Sequence, residues 1–263
     1  MIPILKCLLE MKKEDIILRL TNIKDSVILN YKSWGLIFAS LFLISDSSRV
    51  LYFFTFFVMM LFAHYFHKLC HYDDMYPLNI THIYHHLNNN SFSHFIQATL
   101  EFSAFLSIIV VKYLIDNDYL NMFLKWISNY LINEYVILYF YLFYTTVHNI
   151  NYSIFHVNTT HESHHKLFNK NYGPDISDVL FGTTHGELEN TDHYILNIIG
   201  CTAIVLAIKY VWNRSQDKSW MIYSFGALYA TLSTILGIST VGLFLFLNED
   251  IETRAKADAV FNF

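Results

Sequence analysis

Residues 50–71 read V-L-Y-F-F-T-F-F-V-M-M-L-F-A-H-Y-F-H-K-L-C-H. From Val50 to Phe66 there is no Asp, Glu, Lys or Arg, and the run approaches the roughly 20 apolar residues that carry a helix across a bilayer. It passes without a break into His64, His67 and His71. His67 and His71 stand four apart and so share a helix face. The stretch predicts an apolar helix that ends in a pair of imidazoles, and the rest of the chain repeats the theme.

Upstream, residues 34–45 (WGLIFASLFLIS) are separated from this run only by the polar patch at 46–49. A 12-residue block is short for a span, so the pair predicts a tilted hairpin that enters and leaves by one face. Downstream, 102–111 and 135–147 are apolar but closely flanked by Glu101, Lys112 and Glu134, and read as further spans. Residues 194–208 and 220–247 are clearer, the last being 28 residues without a formal charge. Trp212 and Trp220 bracket the R-S-Q-D-K connection between them, as an aromatic belt would. The first 33 residues mix six basic and four acidic side chains with leucines and isoleucines, which suits an amphipathic segment at a membrane interface. Lys6 interrupts its only early apolar run, too short for a signal core, so the leader reads as retained.

Composition agrees. Of 263 residues, 54% are apolar and 15% charged, against roughly 25% charged in soluble domains. Three prolines and 8 glycines are few for a turn-rich β-sandwich or barrel. A net charge of −5 with no basic stripe excludes a nucleic-acid partner. Cys7, Cys70 and Cys201 make neither a disulfide framework nor a zinc finger. The expected fold is an all-α integral membrane bundle of about four to six membrane-embedded helices with a cytosolic, histidine-rich metal cap. Its segments are 1–33 (amphipathic), 34–193 (membrane domain with the histidines) and 194–263 (a C-terminal transmembrane pair and tail). With the N-terminus inside, 11 of the 17 basic residues fall on the cytosolic side, as the positive-inside rule favours.

Twelve of the 14 histidines lie in two windows, 64–94 and 148–165. After H-K-L-C-H come H-I-Y-H-H (His82, His85, His86) and H-E-S-H-H (His161, His164, His165), each with i, i+3, i+4 spacing on one helix face. The three boxes supply eight imidazoles, at helix ends and beyond. Imidazole suits zinc, copper, iron and nickel, and eight ligands exceed the four of a structural zinc, which favours a two-metal centre. A haem protein needs only two axial ligands per haem. A zinc transporter would carry its ligands at mid-membrane. His185 and His193 read as surface residues.

The three boxes resemble the HxxxH, HxxHH, HxxHH pattern of the fatty acid hydroxylase/sterol desaturase superfamily of membrane di-iron enzymes. The continuation H-H-K-L-F-N-K-N-Y-G-P-D-I-S-D-V-L-F-G-T, residues 164–183, resembles that family's HH…NYG…D.lFGT ending through Asn171, Tyr172, Gly173, Asp178, Phe181 and Gly182. The resemblance covers about residues 50–183. It implies two iron ions held by His67, His71, His82, His85, His86, His161, His164 and His165. It implies a further ligand before the third box, for which His148 is the first candidate and His156 the second. His64 and His94 are further candidates near the site, and His94 with Glu101 resembles a histidine-plus-acid feature of the family. Glu101, Glu162 and Asp178 are candidates to orient ligand N–H groups, Glu162 reading more simply as a solvated carboxylate. No catalytic residue beyond the metal ligands is identified. Lys68 replaces the arginine usual after the first histidine, the glycine-containing motif expected between His148 and His161 is missing, and two apolar blocks follow the FGT signature.

The same resemblance implies hydroxylation or desaturation of a lipid, sterol or acyl/sphingoid, using O2 at the cytosolic face of the endoplasmic reticulum. Electrons must come from outside, from a reductase or a cytochrome b5-type donor, since the chain has no Rossmann fingerprint. Tyr52 to Phe57 and Tyr139 to Tyr144 are candidates to line the lipid cavity. The alternatives are a non-catalytic metal- or lipid-binding protein of the same fold, or a zinc or haem carrier.

Overall fold

A computed structural model describes residues 12–45, 49–72, 75, 79–88, 90–116, 133–157 and 160–249. The expectations for residues 1–11, for the polar patch at 46–48 and for the tail after 249 fall outside them. The described residues are helical and contain no strand. In chain order the helices are α1 (Lys13–Leu29), α2 (Tyr31–Ile44), α3 (Arg49–Leu69), α4 (Ile80–Leu87), α5 (Ser91–Asp116), α6 (Glu134–Thr146), α7 (Thr160–Lys166), α8 (Asp175–Phe181), α9 (Ile195–Arg214) and α10 (Ser219–Glu249). A π-helical turn, Val147–Tyr152, extends α6, and a 3-10 turn, Asp192–Tyr194, leads into α9.

Among the described residues, four stretches are long and apolar enough to cross a membrane: Val50–Leu69, Ser91–Val111, Asp192–Arg214 and Ser219–Leu245. A fifth arises if α1 and α2, bent by 81° at Asn30, are taken as one broken span. The bend has a cause in the side chain of Asn30. Its Nδ2 donates to Glu189 O and its Oδ1 accepts from Thr191 N, both at 2.8 Å, so the turn between the helices is pinned to a loop 160 residues away. Two expectations differ: 34–45, expected as a hairpin limb with 50–66, counts towards a span only together with α1, and 135–147 is not among these stretches. Here α6 is 13 residues long, and Val136 to Tyr141 are buried consecutively. At 13 residues α6 by itself falls short of the roughly 20 that cross a bilayer. Asn133 starts it, its side chain accepting from the Tyr135 and Val136 amides.

The core joins α2, α3, α6 and α9. On α3 the buried positions are Tyr52, Thr55, Phe56, Met59, Met60, Ala63, His64 and then His67, a helical stripe whose continuation reaches the first box. Phe54 and Phe57 are on the other face and exposed. Between apolar helices in lipid, close packing rather than water release holds such a stripe together. At the far end Lys209 is buried and donates to Ile44 O, neutralising the carbonyl end of α2. Helix α10 packs on α5 and α4, yet only 6% of its apolar window is covered by protein, as expected of a helix facing lipid. The histidines gather at one end of the bundle, where α3 and α6 finish and α5 and α9 begin.

Candidate metal centre

Eight histidines, all three boxes, converge in two adjacent groups. His67, His71, His82, His86 and His164 each offer a nitrogen within 4.8 Å of the others, and so do His85, His161 and His165 among themselves. The split follows from helix geometry. At about 100° per residue, i and i+4 lie about 40° apart around the axis while i+3 is turned to the other side. On α4, His82 and His86 therefore face one group and His85 the other. Helix α7 does the reverse, sending His161 and His165 to the smaller group and His164 to the larger. An HxxHH box on one short helix thus serves both groups at once. Helix α3 gives both of its box residues to the larger group. It ends at Leu69, and a tightened turn with His71 N bonded to Lys68 O carries His71 round to within 5.5 Å of the His67 ring.

The nitrogen spacing suits metal ligation. Two ligand atoms at right angles, each about 2.1 Å from one ion, lie about 3.0 Å apart. The Nε2 atoms of His71 and His82 are 3.0 Å apart, those of His82 and His86 3.1 Å, and those of His161 and His165 3.0 Å. The other ring nitrogen is often anchored, as metal-bound histidines require. His67 Nδ1 donates to Tyr172 O and His164 Nδ1 to Lys170 O, each at 2.6 Å. His82 Nδ1 donates to Gln97 Oε1 at 3.0 Å, while the Gln97 amide donates to Glu101. With Nδ1 carrying the proton, Nε2 presents a lone pair. The Nε2 atoms of His67, His148 and His164 are buried without a hydrogen-bond partner. Orphaned buried nitrogens of this kind are ones that a bound cation would satisfy.

Electrostatics keep the imidazoles neutral. Burial, then repulsion from neighbouring histidines, holds His71, His85, His86 and His161 well below the usual range, and burial pushes His82 down to about 4 and His165 to about 3. A neutral imidazole is the ligating form. Cys70, inside the first box, is driven up to about 12 by burial and remains a thiol.

Among the further candidates, His148 sits on the π-helical turn, buried, with its ring 4.6 Å from His161, 5.6 Å from His85 and 6.4 Å from His67. It borders both groups. Its Nδ1 donates to Glu101 Oε1, and Asn149 donates to the other oxygen at 3.2 Å. His94 lies 5.2 Å from His85. His156 is exposed and 3.9 Å from an equally exposed Glu162, so neither is brought to the groups. His64 is buried away from them, 3.5 Å from Asp178 and packed on Phe181. His185 is exposed; His193 is 3.3 Å from Glu189.

Asp178 works at one remove. It accepts from Tyr172 N, Gly173 N and Thr183 Oγ1 at 2.9, 2.6 and 2.6 Å, fixing the turn whose Tyr172 carbonyl holds His67. Gly182 ends α8 with φ of +72°, a left-handed cap that lets Arg19 of α1 lie against it and donate to Leu180 O. Gln97 was not legible as a site residue, though Gln97 and Glu101 stand i, i+4 on the face that follows His94.

A cavity of about 120 Å³ adjoins the site. His67, His148 and His161 border it, Phe56, Phe140, Phe143 and Tyr144 wall it, and it extends to Trp34 and Ile37 on α2. Only part of each aromatic run thus lines it. Compared with protein families, curated proteins and solved structures, the chain matches none. The geometry itself defines an all-helical chain with membrane-length apolar helices and a histidine cluster able to hold metal.

Proposed function

We propose that this chain is a membrane non-haem di-iron oxidoreductase that hydroxylates or desaturates a lipid. The observation that carries the reading is the division of eight histidines into two touching groups with inward-facing nitrogens. In this reading His67, His71, His82, His86 and His164 hold one ion. His85, His161 and His165 hold the other, with His148 and His94 beside them. Two iron ions supply O2 activation and an oxidant strong enough for an alkyl C–H bond, which no side chain provides.

The chain's own residues bind, orient and exclude. The carbonyls of Tyr172 and Lys170 and the Gln97–Glu101 pair fix ring orientation and keep the Nδ1 proton in place. Phe56, Phe140, Phe143 and Tyr144 give an apolar approach that admits hydrocarbon and keeps water from the histidines. Helices α2 and α3 bring that approach to the bilayer, so the lipid enters from the membrane. Electrons arrive from a separate reductase or cytochrome b5-type partner, and the site faces the cytosol at the endoplasmic reticulum.

Metal analysis of the detergent-purified chain tests the reading. About two irons per chain are expected, with loss of both on His164→Ala plus His165→Ala. One haem, or stoichiometric zinc that iron does not displace, overturns it.

A further inference from the structure

Tyr152 stacks its ring on that of His161, with centroids 5.3 Å apart and planes 15° from parallel. We propose that Tyr152 is a positioning residue for the smaller histidine group, fixing the rotation of the His161 ring so that its Nε2 faces His165. The inference rests on the proposed metal-holding role of the histidines and deepens it by naming the residue that sets one of the two groups.

The first ground is a contrast within the boxes. His67, His82 and His164 are aimed by hydrogen bonds at Nδ1, to Tyr172 O, Gln97 Oε1 and Lys170 O. His161 meets His165 Nε2 through its own Nε2 at 3.0 Å, and among the described residues nothing bonds its Nδ1. The last torsion of a histidine side chain has broad minima, so a ring without such a bond needs another contact to set its plane. The face of Tyr152 supplies one.

The second ground is that Tyr152 is itself held. Its hydroxyl donates to Glu189 Oε1 at 2.6 Å, Tyr194 donates to the same oxygen at 3.1 Å, and His193 Nε2 lies 3.3 Å from it. Glu189 is buried, and its carbonyl accepts from Asn30 Nδ2 at 2.8 Å. The tyrosine is therefore tied at its far end to a carboxylate whose own backbone is pinned to the bend between α1 and α2. A ring fixed in this way is a firm face for an imidazole to pack against.

The third ground is the π-helical turn Val147–Tyr152. It aims two side chains at one target: His148 meets the His161 ring edge-on, at 4.6 Å and 76°, while Tyr152 meets it face-on. Contacts from two perpendicular directions fix both the tilt and the rotation of the ring. Turns of this kind recur at functional sites.

The test titrates the metal-stripped full chain in detergent with cobalt(II), whose visible absorption bands report ligand geometry. About two ions per chain are expected in the parent, and the bands lost in His165→Ala mark the ion of the smaller group. Tyr152→Leu removes the aromatic face, and should shift those bands and weaken that ion about tenfold, leaving the other ion and the helix content as in the parent. Tyr152→Phe keeps the face but loses the tie to Glu189, and should weaken the same ion less, with a smaller shift. Parent-like bands and affinity in both variants overturn the proposal, as does equal weakening of both ions by Tyr152→Leu. Tyr152→Phe decides alone should the leucine variant not fold. A parent chain that binds no cobalt overturns this inference together with the metal reading. One whose smaller-group ion depends on Tyr152, yet which oxidises no lipid, sinks the oxidation reading alone.

Discussion

Glu101, on α5, accepts the Nδ1 proton of His148, on the π-helical turn beyond α6, and the same carboxylate receives Gln97, which in turn orients His82. One buried acid therefore governs a ligand of the larger histidine group and the ring that borders both. Charge on Glu101 raises the basicity of these imidazoles as well as aiming them. Glu101→Gln keeps the size but loses the charge, and is expected to weaken metal binding about 10- to 100-fold with helix content unchanged. Metal titration followed by competition with a chelator reads this. Unaltered affinity would mean that Glu101 only fills space.

The resemblance ranks His148 first and His156 second as the further ligand, and the structure separates them. His148 is buried between the groups; His156 is exposed beside Glu162. His148→Ala should lower metal content per chain and broaden what remains, whereas His156→Ala should leave it untouched. Equal losses from both, or loss from His156→Ala alone, would place the further ligand elsewhere.

Asp175 gives a pH signature of definite sign. Its carboxyl moves from 3.8 to about 6, first because it is buried and then because Glu189 is near. The folded state thus prefers the protonated form. Its contribution to stability is complete below about pH 4 and is lost as pH rises through about 6. Asp175→Asn can still accept from Ser26 and escapes that loss. It should gain about 1 kcal/mol over the parent near neutral pH, with the gap closing in acid. Thermal unfolding of both proteins across pH is the check, and a gap independent of pH would contradict it.

The boxes were legible because they are local. Spacing of i, i+3 and i+4 fixes which faces His82, His85 and His86, or His161, His164 and His165, occupy once α4 and α7 form. The apolar runs were legible for the same reason, except that 135–147 forms a helix too short by itself to pass as a span. What the sequence hid is what distant segments make together. Gln97 matters only because α4 packs on α5, and Tyr172 O reaches His67 only through the turn that Asp178 ties. The loop at Glu189 and Thr191 meets α1 and α2 where Asn30 bonds to it. No periodicity encodes those meetings. His64, spaced like a ligand, is drawn instead to Asp178 and Phe181 by the packing of α8 on α3.

The central claim is oxidation of a lipid at the histidine groups, and the most direct measurement is mass spectrometry of membrane lipids from cells making the chain under 18O2. The parent chain should yield a lipid that gains one 18O, as a hydroxyl, or loses two hydrogens, and His164→Ala plus His165→Ala should yield neither. Identical lipid profiles from the two chains, with iron bound and an electron donor present, would contradict the account.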